Sequence, residues 1–420
     1  MNERIKKALH ENFDHVIIFF KWLVFSMVSG ISIGLVGTFF YYCLKWVTDL
    51  RSIYPALIFA LPLGGLLIVF FYRVLHNEND TGTNLVLSAI HSDENIPVRM
   101  APLIFVSTLI THLCGGSAGR EGAALQLGGS IGNALGKLFR FDEKDRHIMI
   151  MCGMSAAFSA LFGTPMAAAI FSMEVVSVGI MYYAALVPCV ISALVAHAIA
   201  GAFGIVPEFF IIKSLPAFTI KNAVLIAILA ILCALVSILF CVMLHTSQKL
   251  YAKYLKNPYL RIFIGGILVI LLTLLVGDQT YNGAGMNVIE HCMETATIAP
   301  EAFFLKILFT AVTLGAGYKG GEIVPTFFIG ATFGCFIGNV MGLSPTLCAA
   351  VGMSCVFCGV TNAPITSLLI SFELFGYDAM PYYLLGVSLS YMLSGYYGLY
   401  SGQKIIYSKF KTAFINRHTH

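Results

Sequence analysis

Charge is scarce in this chain. Asp, Glu, Lys and Arg make up 11% of its 420 residues, against about 25% in an ordinary soluble domain. Hydrophobic residues make up 58%, and the mean hydropathy is +0.85. A soluble globule of this length has too little interior to hide so much apolar side chain, so the chain reads as membrane-integrated. Two runs exceed the roughly 20 residues that cross a bilayer core. Val16 to Leu44 carries Lys21 as its one charge, and Ala223 to Leu244 carries none. Ile148 to Phe162, Met166 to Ile180 and Cys348 to Val360 are shorter and interrupted by Gly or Pro. Short, broken helices are tolerated in a membrane only where protein buries them or a polar cavity runs beside them. That pattern predicts a transporter or channel rather than an anchor.

Other absences narrow the function. The chain has no Walker loop, no HExxH and no credible GxSxG, which removes the common nucleotide, zinc-hydrolase and serine-hydrolase readings. Nothing suggests nucleic-acid binding or a resident cofactor. Cys355 and Cys358 form a C-x-x-C, but their flanks are apolar and no second pair faces them, so they read as packing residues and no metal is expected. The polar segment Met1 to Asp14 runs into a long span with no small-residue cleavage site, which argues against a removed signal peptide.

What is present is a repeat. "GTNLV" at Gly82–Val86 returns as "GMNVI" at Gly285–Ile289, and "GREGA" at Gly119–Ala123 returns as "GEIVP" at Gly321–Pro325. In that second register Gly128, Gly132 and Gly136 fall on Gly330, Gly334 and Gly338. The block from Gly153 returns without a gap from Gly352, pairing Pro165 with Pro364, Ser172 with Ser371 and Glu174 with Glu373. The basic loops switch places between copies. Lys137–His147 carries four Lys or Arg, whereas its counterpart Asn339–Thr346 carries none; Gln248–Arg261 is basic where the first copy is weaker. Short basic loops stay in the cytoplasm, so the copies are expected to be inverted. The basic ends place both termini in the cytoplasm. The expected division is a cytoplasmic segment 1–15, a first membrane repeat 16–205, a linker 206–218, a second repeat 219–407 and a cytoplasmic tail 408–420.

Gly119-Arg120-Glu121-Gly122 opens a helix-length apolar stretch, and Gly320-Gly321-Glu322-Ile323-Val324-Pro325 does so in the other copy. Glycines let a chain turn tightly and expose successive N–H groups. Helix N-termini add partial positive charge, and Pro325 suits a first helical turn. Two such N-termini meeting mid-membrane form an anion site without a fixed cation.

At these residues the chain resembles the CLC anion channels and anion/proton antiporters. "GREGA" is close to their GREGP, "GEIVP" stands where they carry GxFxP, "GTNLV" where they carry GSGIP, and "GLYSG" around Tyr400 resembles the segment holding their anion-coordinating tyrosine. The likeness runs from about Val16 to Tyr407 and implies an all-α polytopic CLC-type fold with an inverted repeat. It implies that Glu121 is the gating glutamate, whose carboxylate occupies an anion site and swings away on protonation. It implies that Thr83 and Tyr400 supply hydroxyls around the central anion. The implied backbone donors are the amides of Glu322 and Ile323, and Arg120, Gly122, Ile323 and Val324 are counted in the anion site. It also implies a homodimer with one pathway per subunit.

Three departures from the chloride pattern point further. The position nine residues from Pro165 is Glu174, and the next, where chloride/proton antiporters carry a second proton glutamate, is Val175. The phenylalanine of GxFxP is Ile323, and its neighbour is the acidic Glu322. A carboxylate beside a chloride site repels the ion unless it is protonated and donates a hydrogen bond. Together these resemble the bacterial fluoride/proton branch, since fluoride is small, basic and a strong hydrogen-bond acceptor. Thr83 fits neither branch closely: chloride members carry Ser there and fluoride-type members often Met.

Symmetry separates structural acids from functional ones. Glu174 and Glu373 recur in both copies and are expected to close helix ends; Asn84 and Asn287 recur and are expected to cap a helix or fix a loop. Glu121 faces Ile323 in the repeat, and Arg120 faces Glu322, an asymmetry that packing does not explain. Intramembrane acids are functional by default. Arg120 is evenly balanced between the site and an ion pair, and His112 reads as hydrogen-bonded structure. The expectation is therefore a fluoride/proton antiporter in the bilayer, exporting fluoride across the cytoplasmic membrane, with Glu121 and Glu322 as gating and proton groups. The alternatives are a chloride/proton antiporter or voltage-gated-type chloride channel of the same fold. An intramembrane enzyme using the two acids lacks any nucleophile or metal cluster in the sequence.

Overall fold

The computed structural model describes the backbone of residues 2–78, 80–92 and 94–419, with side chains from residue 13 and from 15 onward within those ranges. It is an all-α polytopic fold. The first half holds α1 (Asn2–Ile53), α2 (Leu61–Val74), α3 (Thr83–His91), α4 (Met100–Leu113), α5 (Glu121–Leu138), α6 (Glu143–Phe162), α7 (Pro165–Glu174) and α8 (Leu186–Ala202). The second repeats the order as α9 (Ile220–Tyr254), α10 (Pro258–Val276), α11 (Met286–Thr295), α12 (Ala302–Ala316), α13 (Ile323–Met341), α14 (Pro345–Thr361), α15 (Pro364–Phe375) and α16 (Met380–Leu393). Six described helical segments are long and apolar enough to cross a membrane, among them His15–Ile53 and Ile220–Tyr254; Met100–Leu113, Pro345–Thr361 and Pro364–Phe375 are shorter.

The breaks come from local chemistry that both halves share. Gly163 ends α6 with φ at 70°, and its repeat partner Asn362 ends α14 with φ at 56°. Both are residue types that tolerate the left-handed region. Pro165 and Pro364 then open α7 and α15, where the missing N–H has no intrahelical partner to lose. Close packing is shared too. A Cβ at Gly128 of α5 would fall 2.1 Å from the Gly153 carbonyl oxygen of α6; one at Gly330 of α13 would fall 2.5 Å from the Gly352 oxygen of α14. Small residues let membrane helices approach to backbone contact.

The two halves are locked by reciprocal contacts. Glu373, near the end of α15, accepts the Met166 and Ala167 amide hydrogens at the start of α7, both at 2.9 Å. Glu174, at the end of α7, accepts the amide hydrogens of Ile365 (3.0 Å) and Thr366 (2.8 Å) and the Thr366 hydroxyl (2.6 Å) at the start of α15. Each acid closes the other half's helix N-terminus, as its duplication in the sequence implied. Cys355 and Cys358 lie buried in α14, and the Cys358 thiol donates to the Val387 carbonyl of α16.

Strands β1 (Ser177–Val178), β2 (Lys404–Tyr407) and β3 (Phe414–His418) form one sheet in that order, with β1–β2 parallel and β2–β3 antiparallel. Hydrogen bonds therefore cross the expected boundary at residue 407 and tie the C-terminal hairpin to the first half. Thr419 continues this tie, its amide donating to the Gln403 carbonyl at 3.2 Å.

Candidate functional site

The N-termini of α5 and α13 meet at the centre. Gly119 and Gly321, equivalent in the repeat, pair as an isolated antiparallel bridge: the Gly119 amide donates to the Gly321 oxygen at 2.7 Å and the Gly321 amide to the Gly119 oxygen at 2.8 Å. The approach demands glycine. A Cβ at Gly321 would lie 2.4 Å from the Gly122 nitrogen, and one at Gly119 would lie 2.6 Å from Glu121 Oε2. Glu121 is fully buried. Its Oε2 accepts from the Arg120 amide at 3.0 Å and from the Val324 amide at 3.3 Å. A carboxylate of the first half thus rests on a donor of the second half's helix N-terminus, the place those N–H groups offer to an anion.

Beside this junction a cavity of about 750 Å³ reaches the last turns of α9 and the start of α10, and Thr83, Gln126, Glu322 and Tyr400 share its lining. Gly82 starts α3, with φ at 65° and its amide on Asp80 Oδ1 at 3.0 Å, which sets Thr83 at the helix start. Asn84 Oδ1 accepts the Gly402 amide at 2.9 Å, tying α3 to the Tyr400 segment. Tyr400 is buried, and its hydroxyl has no hydrogen-bond partner among the described residues; the same holds for Glu322 Oε2 and Gln126 Oε1. Glu322 Oε2 lies 3.1 Å from where a Cβ on Gly122 would stand, so Gly122 leaves space for that carboxyl. Hydroxyl donors, a carboxyl and a carboxamide around one cavity suit a small anion and a proton.

Several expected residues sit apart from that lining. The Arg120 side chain turns elsewhere: its Nε is 3.4 Å from Glu121 Oε1, its Nη2 is 3.7 Å from Glu208 Oε1, and its guanidinium packs over Tyr41. It braces the Glu121 carboxyl rather than lining the cavity. Ile323 is buried at the first position of α13, and Val324 contributes its amide to Glu121. Glu208 lies in the connection between the halves and carried no motif to reveal it.

Other charges stand near the site. Lys319 Nζ pairs with Asp80 Oδ2 at 3.3 Å and lies over the Tyr72 ring, joining the turn before α13 to the turn before α3 at the cavity wall. Lys249 and Arg261 line the same cavity. Lys306, fully buried, donates to the Tyr281 and Gly283 carbonyls at 3.1 and 2.7 Å and holds the turn before α11. Its isolation in an apolar segment was the signal. His112 is buried with Nδ1 3.1 Å from the Thr108 oxygen. Gln126 lies just beyond the GREG block on α5, visible in the sequence but silent about its partner.

Known proteins share this fold. The family profile described as voltage gated chloride channel matches residues 64–395. A chloride/fluoride channel protein of Pseudomonas syringae pv. tomato is 32% identical over 406 residues, covering 95% of this chain and 90% of that one. A crystal structure of a CLC-type fluoride/proton antiporter superposes with a TM-score of 0.89 at 32% identity, covering 92% of this chain and 98% of that chain. The H(+)/Cl(-) exchange transporter ClcA of Vibrio cholerae serotype O1 is 26% identical over 387 residues, 84% of this chain and 82% of that one.

Proposed function

The chain belongs to the voltage gated chloride channel family, and from that premise we propose that it is a fluoride/proton antiporter exporting fluoride across the cytoplasmic membrane. The observation that carries the reading is Glu322, an acid whose Oε2 has no partner among the described residues, in the cavity that Thr83 and Tyr400 also line. A bare carboxylate there repels any anion. A protonated one donates a hydrogen bond, and fluoride is the halide that accepts it most strongly.

Glu121 is the proposed gate. Its carboxylate holds the Val324 amide, and an incoming anion competes for such donors. Protonation removes the charge and frees the side chain to leave, so proton and anion alternate on one place and their fluxes run in opposite directions. The proposed anion contacts are Thr83, Tyr400 and the Gly122, Ile323 and Val324 backbone, with Arg120 acting through Glu121. The basic residues Lys249 and Arg261 at the cavity wall support a cytoplasmic opening there, by the rule that basic loops stay inside. The proposed assembly is a homodimer with one pathway per subunit, as the family resemblance implies. The cytoplasmic membrane and the cytoplasmic termini belong to the same reading.

The 32% identity to the fluoride/proton antiporter structure, against 26% to the H(+)/Cl(-) exchange transporter, supports fluoride over chloride. The test is efflux from liposomes carrying the purified protein. Fluoride should leave far faster than chloride while protons move the other way. Equal chloride flux would sink the fluoride reading and favour the chloride/proton exchanger.

A further inference from the structure

Gln126 stands on α5 beyond Glu121, 4% exposed, in the lining shared with Thr83, Glu322 and Tyr400. Its Nε2 donates to Thr83 Oγ1 at 3.2 Å. Thr83 Oγ1 in turn lies 3.5 Å from the Gly122 carbonyl oxygen. The backbone packs close here: a Cβ at Gly82 would stand 3.3 Å from Gln126 Nε2.

A hydroxyl has one hydrogen to give and two lone pairs to fill. With a Gln126 N–H on one lone pair, the Thr83 hydrogen points away from Gln126. The Gly122 carbonyl at 3.5 Å is a weak acceptor, so this hydrogen is available to a stronger one. The opposite carboxamide orientation would set Gln126 Oε1 against Thr83. It would draw the hydroxyl hydrogen to itself and leave only oxygen lone pairs facing the cavity. An anion is attracted in the first case and repelled in the second. The carboxamide therefore decides whether a threonine works at a place where the likeness to other chains suggests serine or methionine.

We propose that Gln126 is the positioning residue that makes Thr83 a hydrogen-bond donor to the transported anion, and so tunes the site toward fluoride. The proposal rests on the antiporter reading for the identity of the anion. Fluoride gains most from such a donor because it is the strongest acceptor among the halides. Gln126 acts through Thr83 rather than on the ion itself.

The experiment is a double-mutant cycle in proteoliposomes, reading fluoride efflux against internal fluoride concentration for wild type, Gln126→Leu, Thr83→Val and the two combined. Gln126→Leu is expected to raise the half-saturating fluoride concentration roughly tenfold, the scale of one lost hydrogen bond to a charged group, while the saturating rate changes about twofold or less. Thr83→Val is expected to do the same, and the combined variant to be no worse than Thr83→Val alone, because contacts in one network are not additive. Gln126→Glu, which can only accept when ionised, is expected to be worse than Gln126→Leu. Gln126→Met repeats the first measurement with a flexible side chain closer in length, should leucine disturb folding. An unchanged half-saturating concentration in Gln126→Leu and Gln126→Met, or an additive loss in the combined variant, overturns the proposal. Should the wild type carry chloride as fast as fluoride, the fluoride reading fails, and the same cycle run with chloride still reports whether Gln126 works through Thr83.

Discussion

Glu121 Oε2 accepts the amide hydrogen of Val324 at 3.3 Å, so a side chain from one half of the molecule rests on a helix N-terminus of the other. The pairing of Gly119 with Gly321 just before the two helices fixes that geometry. In the proposed gate, an anion competing for the Val324 amide meets a side chain that leaves most readily once it is neutral. Replacing Glu121 with Gln keeps the shape and removes the titrating proton. We expect Glu121→Gln to abolish proton movement coupled to fluoride, read as pH change outside fluoride-loaded liposomes. Intact coupling would remove Glu121 from the gate.

Glu322→Gln tests the second acid. It preserves volume in the space that Gly122 leaves beside Oε2, but it cannot hand over a proton. Fluoride turnover is expected to fall by roughly tenfold or more, the scale of one hydrogen bond to a charged group, and the fluoride-to-chloride rate ratio to fall with it. A wild-type rate would return Glu322 to a structural role.

The junction of the two N-termini leaves no room for a side chain. Gly321→Ala places a Cβ 2.4 Å from the Gly122 nitrogen and 2.9 Å from that of Glu121, which forces the helices apart where the donors converge. Transport is expected to be lost. Gly201→Ala is the control: it lies within α8, where a Cβ meets nothing within 4 Å, and alanine favours a helix by about 1 kcal/mol. Its flux should match wild type. Wild-type flux in Gly321→Ala would show that the junction can yield.

Glu174 and Glu373 should behave as a matched pair. Each carboxylate closes the other half's helix with amide hydrogen bonds, and bonds to a charged group contribute about 1.5–3 kcal/mol. Glu174→Gln and Glu373→Gln are each expected to lower the melting temperature of the purified protein and to leave the fluoride-to-chloride ratio unchanged. A selective effect of one of them on proton coupling would make it a transport residue instead.

The sequence by itself determined the elements that repeat. Membrane residence followed from the scarcity of charge, because a bilayer is the one solvent that suits so much apolar surface. The duplicated glycines at 128 and 330, the prolines at 165 and 364 and the glutamates at 174 and 373 each answer to a backbone constraint met once per half. Such constraints leave a mark at fixed spacing. Glu121 and Glu322 were legible for the opposite reason, since they are acids that break the symmetry around them.

Only the tertiary structure decided which side chains of different elements meet. Arg120 stands next to Glu121 in sequence, yet its guanidinium reaches Glu208 in the connection between the halves. Lys319 finds Asp80, and Gln126 finds Thr83, across gaps that no periodicity encodes. Phe414–His418 folds back as a strand, and the Thr419 hydroxyl donates to the Tyr400 carbonyl at 2.6 Å beside the cavity that both line. A motif records what a backbone must do locally. A hydrogen bond between distant segments depends on how packed helices bring their ends together, and that information lies in the whole fold.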